Sequence, residues 1–371
     1  MTVCSTPARR RARDYGIDIG VLPTGSLNAI TDVPGVLVGQ VTLEDDARGM
    51  HTGVTAIRPH PGNLFAEKVP CGIFLGNAFG KMAGYPQVKE LGNLETPIVL
   101  TNTLNVAAGL DGLIDWTFSF AENNSVKSVN PLVGETNDGA VNDIRARFVT
   151  REHVAAALAA ASDGPVAEGC VGAGTGTKAF GFKAGIGTAS RVLPESMGGW
   201  RVGVLVQANF GGLLTIKGTE VGKALGGFPY EKEIRDADGS IMMIVATDAP
   251  LDARQLERVA KRAFMGLAKT GGVASNGSGD FVVAFSTNEA VRVAHSAERN
   301  RPVSAPVVRN DDMTPIFMAT IEATEEAIIN ALFMAHDVKG HDGTLYKALP
   351  LERTLEMLRA EGKLRDSKQP N

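Results

Sequence analysis

Apolar runs bounded by glycine or polar residues recur along the chain and read as strands: GVLVGQVTL (35–43), TPIVLTNT (96–103), RVGVLVQAN (201–209), SIMMIVAT (240–247) and DFVVAFST (280–287). Their β-branched content and their turn-forming borders support that assignment. APVVRN followed by TPIFMATIEAT adds a further strand candidate. A period of three to four residues marks the helices. From Asp252, the residues Leu256, Val259, Ala263 and Leu267 share a face, and Asp252 with Gln255 fits a capping box. A second helix is expected to begin near Thr324, where Glu325 and Glu326 would suit its positive end. PLERTLEMLRAEG carries Pro350 at its start and Gly362 as a stop, and TREHVAAALAAAS (150–162) is an Ala-rich helix. Strands and helices mix without a regular βαβ alternation, which predicts an α+β layered fold over a doubly wound sheet.

Composition narrows the partners. At 371 residues, 44% hydrophobic and 21% charged, the chain can build a sizeable core. A net charge of −4 without a long basic stripe argues against nucleic acid. Arg9, Arg10, Arg11 and Arg13 form a basic cluster that is expected to be a solvated tail, and LRDSKQPN at the other end a frayed one. No apolar run reaches the roughly 18–20 residues of a membrane span, and no secretory signal is evident, so a cytoplasmic location is expected. Cys4, Cys71 and Cys170 are too widely spaced for a disulfide framework or zinc site, and His336 and His341 sit in a glycine-rich loop. No metal or cofactor is expected.

Four segments hold candidate chemistry. GAGTGTKAFGFKAGIGTASR (172–191) lacks the spacing of a phosphate-binding loop and reads as glycine-rich hairpins lining a pocket. NPLVGETNDGAVND (130–143) gathers Glu135, Asn137, Asp138, Asn142 and Asp143 among turn residues. It is either a loop of Asx turns or a pocket wall whose carboxylate holds an ammonium. Asn209 ends an apolar strand, where it can cap the strand or donate to an oxyanion. Ser278 and Asp280 differ by two, so in extended backbone both point to one side.

DADGSIMMIVATDAP (236–250) poses the sharper question. Asp238-Gly239 before Ser240 makes a turn leading into a strand, or a place where the chain is cut. No histidine lies near these segments to serve as a base. A freed α-amine at Ser240 would supply one, since its ordinary pKa of about 7.7–8.0 suits proton transfer near neutrality.

Ordered motifs then decide between the two. RARDYGI, GSLNAITDVPGVLVGQVTL, HTGVTAI, VGETNDGAVND, GPVAEGCVGAGTGTKAFGFKAGIGTASR, VGVLVQAN, SIMMIVATDAPL and SGDFVVAFST together resemble the DmpA-type family of self-processing aminopeptidases, which includes L-aminopeptidase/D-esterases and β-peptidyl aminopeptidases. The resemblance implies a single catalytic domain, 1–371, with a four-layer αββα sandwich similar to that of ornithine acetyltransferases. It implies a cut between Gly239 and Ser240, giving chains 1–239 and 240–371 that assemble as four heterodimers. Ser240 would be the nucleophile, Asn209 the oxyanion amide, Ser278 a second serine with Asp280 as its acidic partner, and Glu135 the carboxylate for a substrate amine. Some relatives carry glutamate where this chain has Asp280. The expected activity is hydrolysis of amides, esters or short peptides with a free amine, through an acyl-enzyme and without metal or organic cofactor. The alternatives are acyl transfer to an amine, an endo-amidase, and a non-catalytic ligand-binding protein.

Overall fold

The computed structural model describes residues 9–226, 239–296 and 305–365. Within them the long strands are β1 (Leu37–Asp45), β2 (Met50–Arg58), β3 (Glu67–Ala78), β4 (Ile98–Asn102), β5 (Leu132–Thr136), β6 (Ile186–Val192), β7 (Arg201–Asn209), β8 (Gly239–Thr247) and β9 (Ser278–Ser286). The longer helices are α1 (Val106–Phe118), α2 (Arg151–Ala159), α3 (Ala253–Lys269), α4 (Thr314–Phe333) and α5 (Leu351–Ala360). Asp236–Asp238, Cys4 and the tail from residue 366 lie outside the described residues.

Side-chain alternation along β8 explains the layering. Ile241, Met243 and Val245 enter one apolar core with Leu256, Val259 and Ala263 of α3 and Ala323 and Ala327 of α4. Met242, Ile244 and Ala246 enter another with Ile98, Leu100 and Leu132 from β4 and β5. A strand buried on both faces cannot show polar alternation, which is why IMMIVA, between Ser240 and Thr247, is apolar throughout. A third core joins Val54, Ala56, Val99 and Val133 to Leu113 of α1 and to Val154 and Leu158 of α2. The order is therefore α1 and α2, a first sheet, a second sheet, then α3 and α4. The four-layer α+β sandwich is the expected architecture.

The first sheet runs β1-β2-β4-β5, with Met82–Ala83 at its far edge; the second runs β6-β7-β8-β9-β3, with Val293–Ala294 beyond. Most pairs are antiparallel, but β4 with β5 and β8 with β9 are parallel. Each parallel pair is joined through a helix, α1 in one sheet and α3 in the other, as a crossover requires. Gly187 shows how closely helices sit: a Cβ there would lie 1.9 Å from the Ala327 carbonyl of α4.

Several expectations are corrected. TPIFMATIEAT is no strand, and its helix does not begin at Thr324: α4 starts at Thr314, with Pro315 in the first turn, where a missing N–H costs nothing. Its β-branched residues imitate a strand, yet Ile316, Ala319, Ala323 and Ala327 keep helical spacing and are buried. Glu325 and Glu326 are buried in mid-helix and neutralised by partners, Lys269 and Arg13 with Arg191 respectively. The basic cluster is not a solvated tail at Arg9, Arg11 and Arg13, while Arg10 is exposed. Arg9 donates to the Leu349 carbonyl (3.0 Å), Arg11 to those of Asn28 (2.7 Å) and Thr188 (2.6 Å), and Arg13 pairs with Glu326 (2.7 Å). The capping box at Asp252 forms as expected: Gln255 N–H donates to Asp252 Oδ1 at 2.7 Å, and Asp252 N–H to Gln255 Oε1 at 3.1 Å. No helix of the described residues is long and apolar enough to cross a membrane.

Candidate active site

Register brings the candidate residues together at one end of the central strands of the second sheet. Asn209 closes β7 opposite Ser240, Ser240 stands beside Gly279 in the parallel pairing, and Gly239 stands beside Ser278. Three strand ends thus deliver an amide and two hydroxyls to adjacent positions. All three residues are buried.

Ser240 Oγ–H donates to the carbonyl of Gly239 at 2.6 Å, and Gly279 N–H donates to Ser240 Oγ at 3.2 Å. The hydroxyl therefore rests against the peptide group that precedes it. Ser278 Oγ–H donates to Asp280 Oδ1 at 2.7 Å, the same-side arrangement expected from their spacing of two. Asp280 Oδ2 is buried without a hydrogen-bond partner among the described residues. Burial pushes the Asp280 carboxyl up to about 6, and the Ser278 bond offsets only part of that.

Asn209 is held from both ends of its amide. Its Nδ2 donates to the Asn137 carbonyl at 3.0 Å, and its Oδ1 accepts from Lys178 N–H at 3.2 Å. One contact crosses to the first sheet and the other reaches the glycine-rich segment, which forms a short turn and a small hairpin before β6. Gln207, two residues earlier, also bridges the layers by donating to Thr136 Oγ1 (2.9 Å) and to the carbonyls of Thr101 (3.1 Å) and Ala173 (2.9 Å).

Glu135 is in β5 rather than in a turn, a correction to its expected setting. The run LVGET is short, and the Asn-Asp-Gly after it hides the strand signal. Its carboxylate is buried and accepts from Lys81 N–H at 2.9 Å and from the Thr103 hydroxyl. The turn at Phe79–Lys81 lies between Glu135 and the serines: a Cβ on Gly80 would stand 3.2 Å from Glu135 Oε1 and 3.5 Å from Gly279 Cα. On the far side of Asn137, Asp138 accepts from Thr52 Oγ1 (2.6 Å) and Asn142 Nδ2 (3.1 Å), and burial raises it to about 6.

A profile of peptidase family S58 matches residues 28–346. The chain belongs to peptidase family S58. Among curated relatives of this S58 chain, the β-peptidyl aminopeptidase BapA of Sphingosinicella microcystinivorans is 41% identical over 362 residues, covering 92% of this chain and 89% of that protein. Among solved structures, the PH0078 protein of Pyrococcus horikoshii OT3 matches with a TM-score of 0.88 and 47% identity, covering 96% of this chain and all of that one. The L-aminopeptidase D-Ala-esterase/amidase of Ochrobactrum anthropi, described as a prototype serine aminopeptidase and a variant of the Ntn hydrolase fold, matches with a TM-score of 0.87 and 36% identity over 96% of this chain and 99% of that one. The S58 chain is thus a hydrolase of the aminopeptidase kind, with the fold that its resemblance implies.

Sequence reasoning missed the donors around these side chains. Lys81 and Thr103 reach Glu135 from separate strand ends, and no period links them to it. Asn77 donates through Nδ2 to the carbonyls of Ser275 (3.0 Å), Asn276 (3.1 Å) and Ser278, fixing the entry to β9. Gly279 acts through its backbone N–H, which no side-chain pattern announces. No group of three His, Cys, Asp or Glu side chains among the described residues is arranged to hold a metal ion.

Proposed function

We propose that this chain is a self-processing serine aminopeptidase and amidase whose nucleophile is Ser240. The observation that carries the proposal is the placement of Ser240 Oγ, 2.6 Å from the Gly239 carbonyl oxygen and within reach of the Gly279 N–H. In the first step Ser240 Oγ attacks the Gly239 carbonyl carbon. The C–N bond breaks, the proton passes from oxygen to nitrogen, and an ester joins Gly239 to Ser240 Oγ. Water hydrolyses that ester, leaving a Gly239 carboxylate and a Ser240 with both a free hydroxyl and a free α-amine. The products are chains 1–239 and 240–371, and the resemblance extends the proposal to an assembly of four such heterodimers.

In turnover the same hydroxyl attacks the carbonyl of a bound amide, ester or short peptide. The α-amine accepts its proton near neutral pH, with Ser278 and Asp280 in contact to pass or hold a proton. Asn209 has two amide N–H groups, one of them committed to Asn137, and the other serves the oxyanion. Loss of the leaving amine gives an acyl-Ser240, which water releases. Glu135 takes the substrate's ammonium, so that chains blocked at the amine are refused. The names of the relatives make short peptides and amides with an N-terminal β-residue the first substrates to try.

Glu135→Ala tests the substrate half of this assignment. The expected result is a KM for an aminoacyl p-nitroanilide raised at least tenfold, while hydrolysis of its N-acetyl counterpart stays at the wild-type level. Equal effects on the two substrates would remove Glu135 from the ammonium site.

A further inference from the structure

Glu135 already holds an ammonium, and it belongs to the protein. Lys81 Nζ lies 3.4 Å from Glu135 Oε1, the same oxygen that accepts the Lys81 backbone N–H at 2.9 Å. The two contacts differ in kind. The backbone donor is fixed by the Phe79–Lys81 turn, and the Thr103 hydroxyl on the other oxygen is fixed by a short side chain. The ammonium sits on a flexible stem, and the Lys81 side chain is 55% exposed against 3% for Glu135. A buried carboxylate needs a counter-charge. A long contact to a solvated lysine supplies one at little cost of release.

We propose that Lys81 is an exchangeable internal counter-ion for Glu135 and a specificity-determining residue of the ammonium site. This rests on Glu135 being that site. An incoming substrate with a free amine displaces the Lys81 ammonium and takes its place, while the Lys81 N–H and the Thr103 hydroxyl keep the carboxylate in position. A substrate without a charged amine leaves Lys81 where it is and finds the subsite filled. Lys81 therefore guards the site against uncharged ends and also competes with the right ones.

Lys81→Met keeps the alkyl stem and removes the charge. With the processed enzyme and an aminoacyl p-nitroanilide at low ionic strength, the expected change is a KM lowered roughly two- to fivefold, the worth of a long ion pair whose lysine is half exposed. The expected kcat stays near that of wild type, and Lys81→Arg retains the wild-type KM. Ethylammonium, used as a competitive inhibitor, should bind more tightly to Lys81→Met by the same factor. A KM that is unchanged or raised in Lys81→Met, in enzyme with an unaltered melting temperature, overturns the proposal. Lys81→Gln repeats the measurement should the methionine variant fold poorly. Glu135→Gln, run alongside, separates the two levels. If it abolishes preference for the free amine while Lys81→Met changes nothing, the counter-ion role alone fails. If the preference survives Glu135→Gln, the ammonium site itself is wrongly placed and the proposal falls with it.

Discussion

Arg191 and Asp280 are both charged residues walled in by the second sheet, and their surroundings are opposite. Arg191, in β6, donates through Nε to Glu322 (3.0 Å), through Nη2 to Glu326 (2.8 Å) and the Ile19 carbonyl (2.7 Å), and through Nη1 to the Ser190 carbonyl (2.7 Å). Glu326 takes further bonds from Arg13 (2.7 Å) and Asn28 (2.6 Å). Burial alone would raise the Glu326 carboxyl, but Arg191 and Arg13 outweigh it and hold the group below the usual carboxylate range. Asp280, in β9, has among the described residues one bond, from Ser278, and no partner on its other oxygen, and burial lifts it to about 6. A buried charge with its bonding capacity filled ties elements together. One left short of partners, bonded only to Ser278, keeps bonding capacity unused, which suits the proton-handling role proposed for Asp280.

The first consequence concerns the filled cluster. Arg191→Met leaves Glu322 without its counter-charge, held only by the Val21 and Leu22 N–H groups, and Glu326 with a weaker one, so urea denaturation should show a loss of about 3–5 kcal/mol. The kcat of the remaining folded enzyme should stay within a few-fold of wild type. A loss under about 1 kcal/mol would mean that the network is not what holds α4 to β6.

Asn209 lies between the two kinds of cluster, since it is both tied to Asn137 and placed at the serines. Asn209→Ala should cost about 2.7–4 kcal/mol of transition-state stabilisation, read as a fall in kcat at nearly constant KM. If only the melting temperature moves, the amide is a tie between sheets and nothing more.

Asp280 should show the smallest effect on stability, and with the opposite sign. Its carboxyl ordinarily titrates near 3.8 and is raised to about 6 in the fold. Between those values the native state binds more protons than the unfolded chain. Stability therefore falls as pH rises through the window and stays lower above it. Asp280→Asn should be more stable than wild type at pH 8, by at most about 3 kcal/mol, with no gain below about pH 4. The same variant should lose the acid limb near pH 6 from its kcat/KM profile. Unchanged stability at pH 8 and an intact limb would show that Asp280 is not the group titrating there.

Much of this contrast could be seen in the sequence, and the part that could not has physical causes. β7, β8, β9 and α3 declare themselves through unbroken apolar runs or a clean helical period. The spacing of Ser278 and Asp280 foretells their hydrogen bond. β6 stays hidden because Gly187 must be bare for α4 to lie on it, and glycine weakens a strand signal. α4 reads as a strand because its β-branched residues are buried on most sides, so polar periodicity disappears. Glu325 and Glu326 look like helix-start residues because their partners, Lys269 for the first and Arg13 and Arg191 for the second, lie on other elements far off in the chain. Lys81 and Thr103 meet Glu135 only after β4 has paired with one side of β5 and Met82–Ala83 with the other.

Denaturing intact-mass spectrometry of freshly purified wild-type and Ser240→Ala protein bears most directly on Ser240. Wild type should give two chains whose masses break between Gly239 and Ser240, and Ser240→Ala a single full-length chain without aminopeptidase activity. A wild-type chain that stays whole while hydrolysing substrate, or a Ser240→Ala chain still cut at that bond, would contradict the proposal that one hydroxyl serves both processing and turnover.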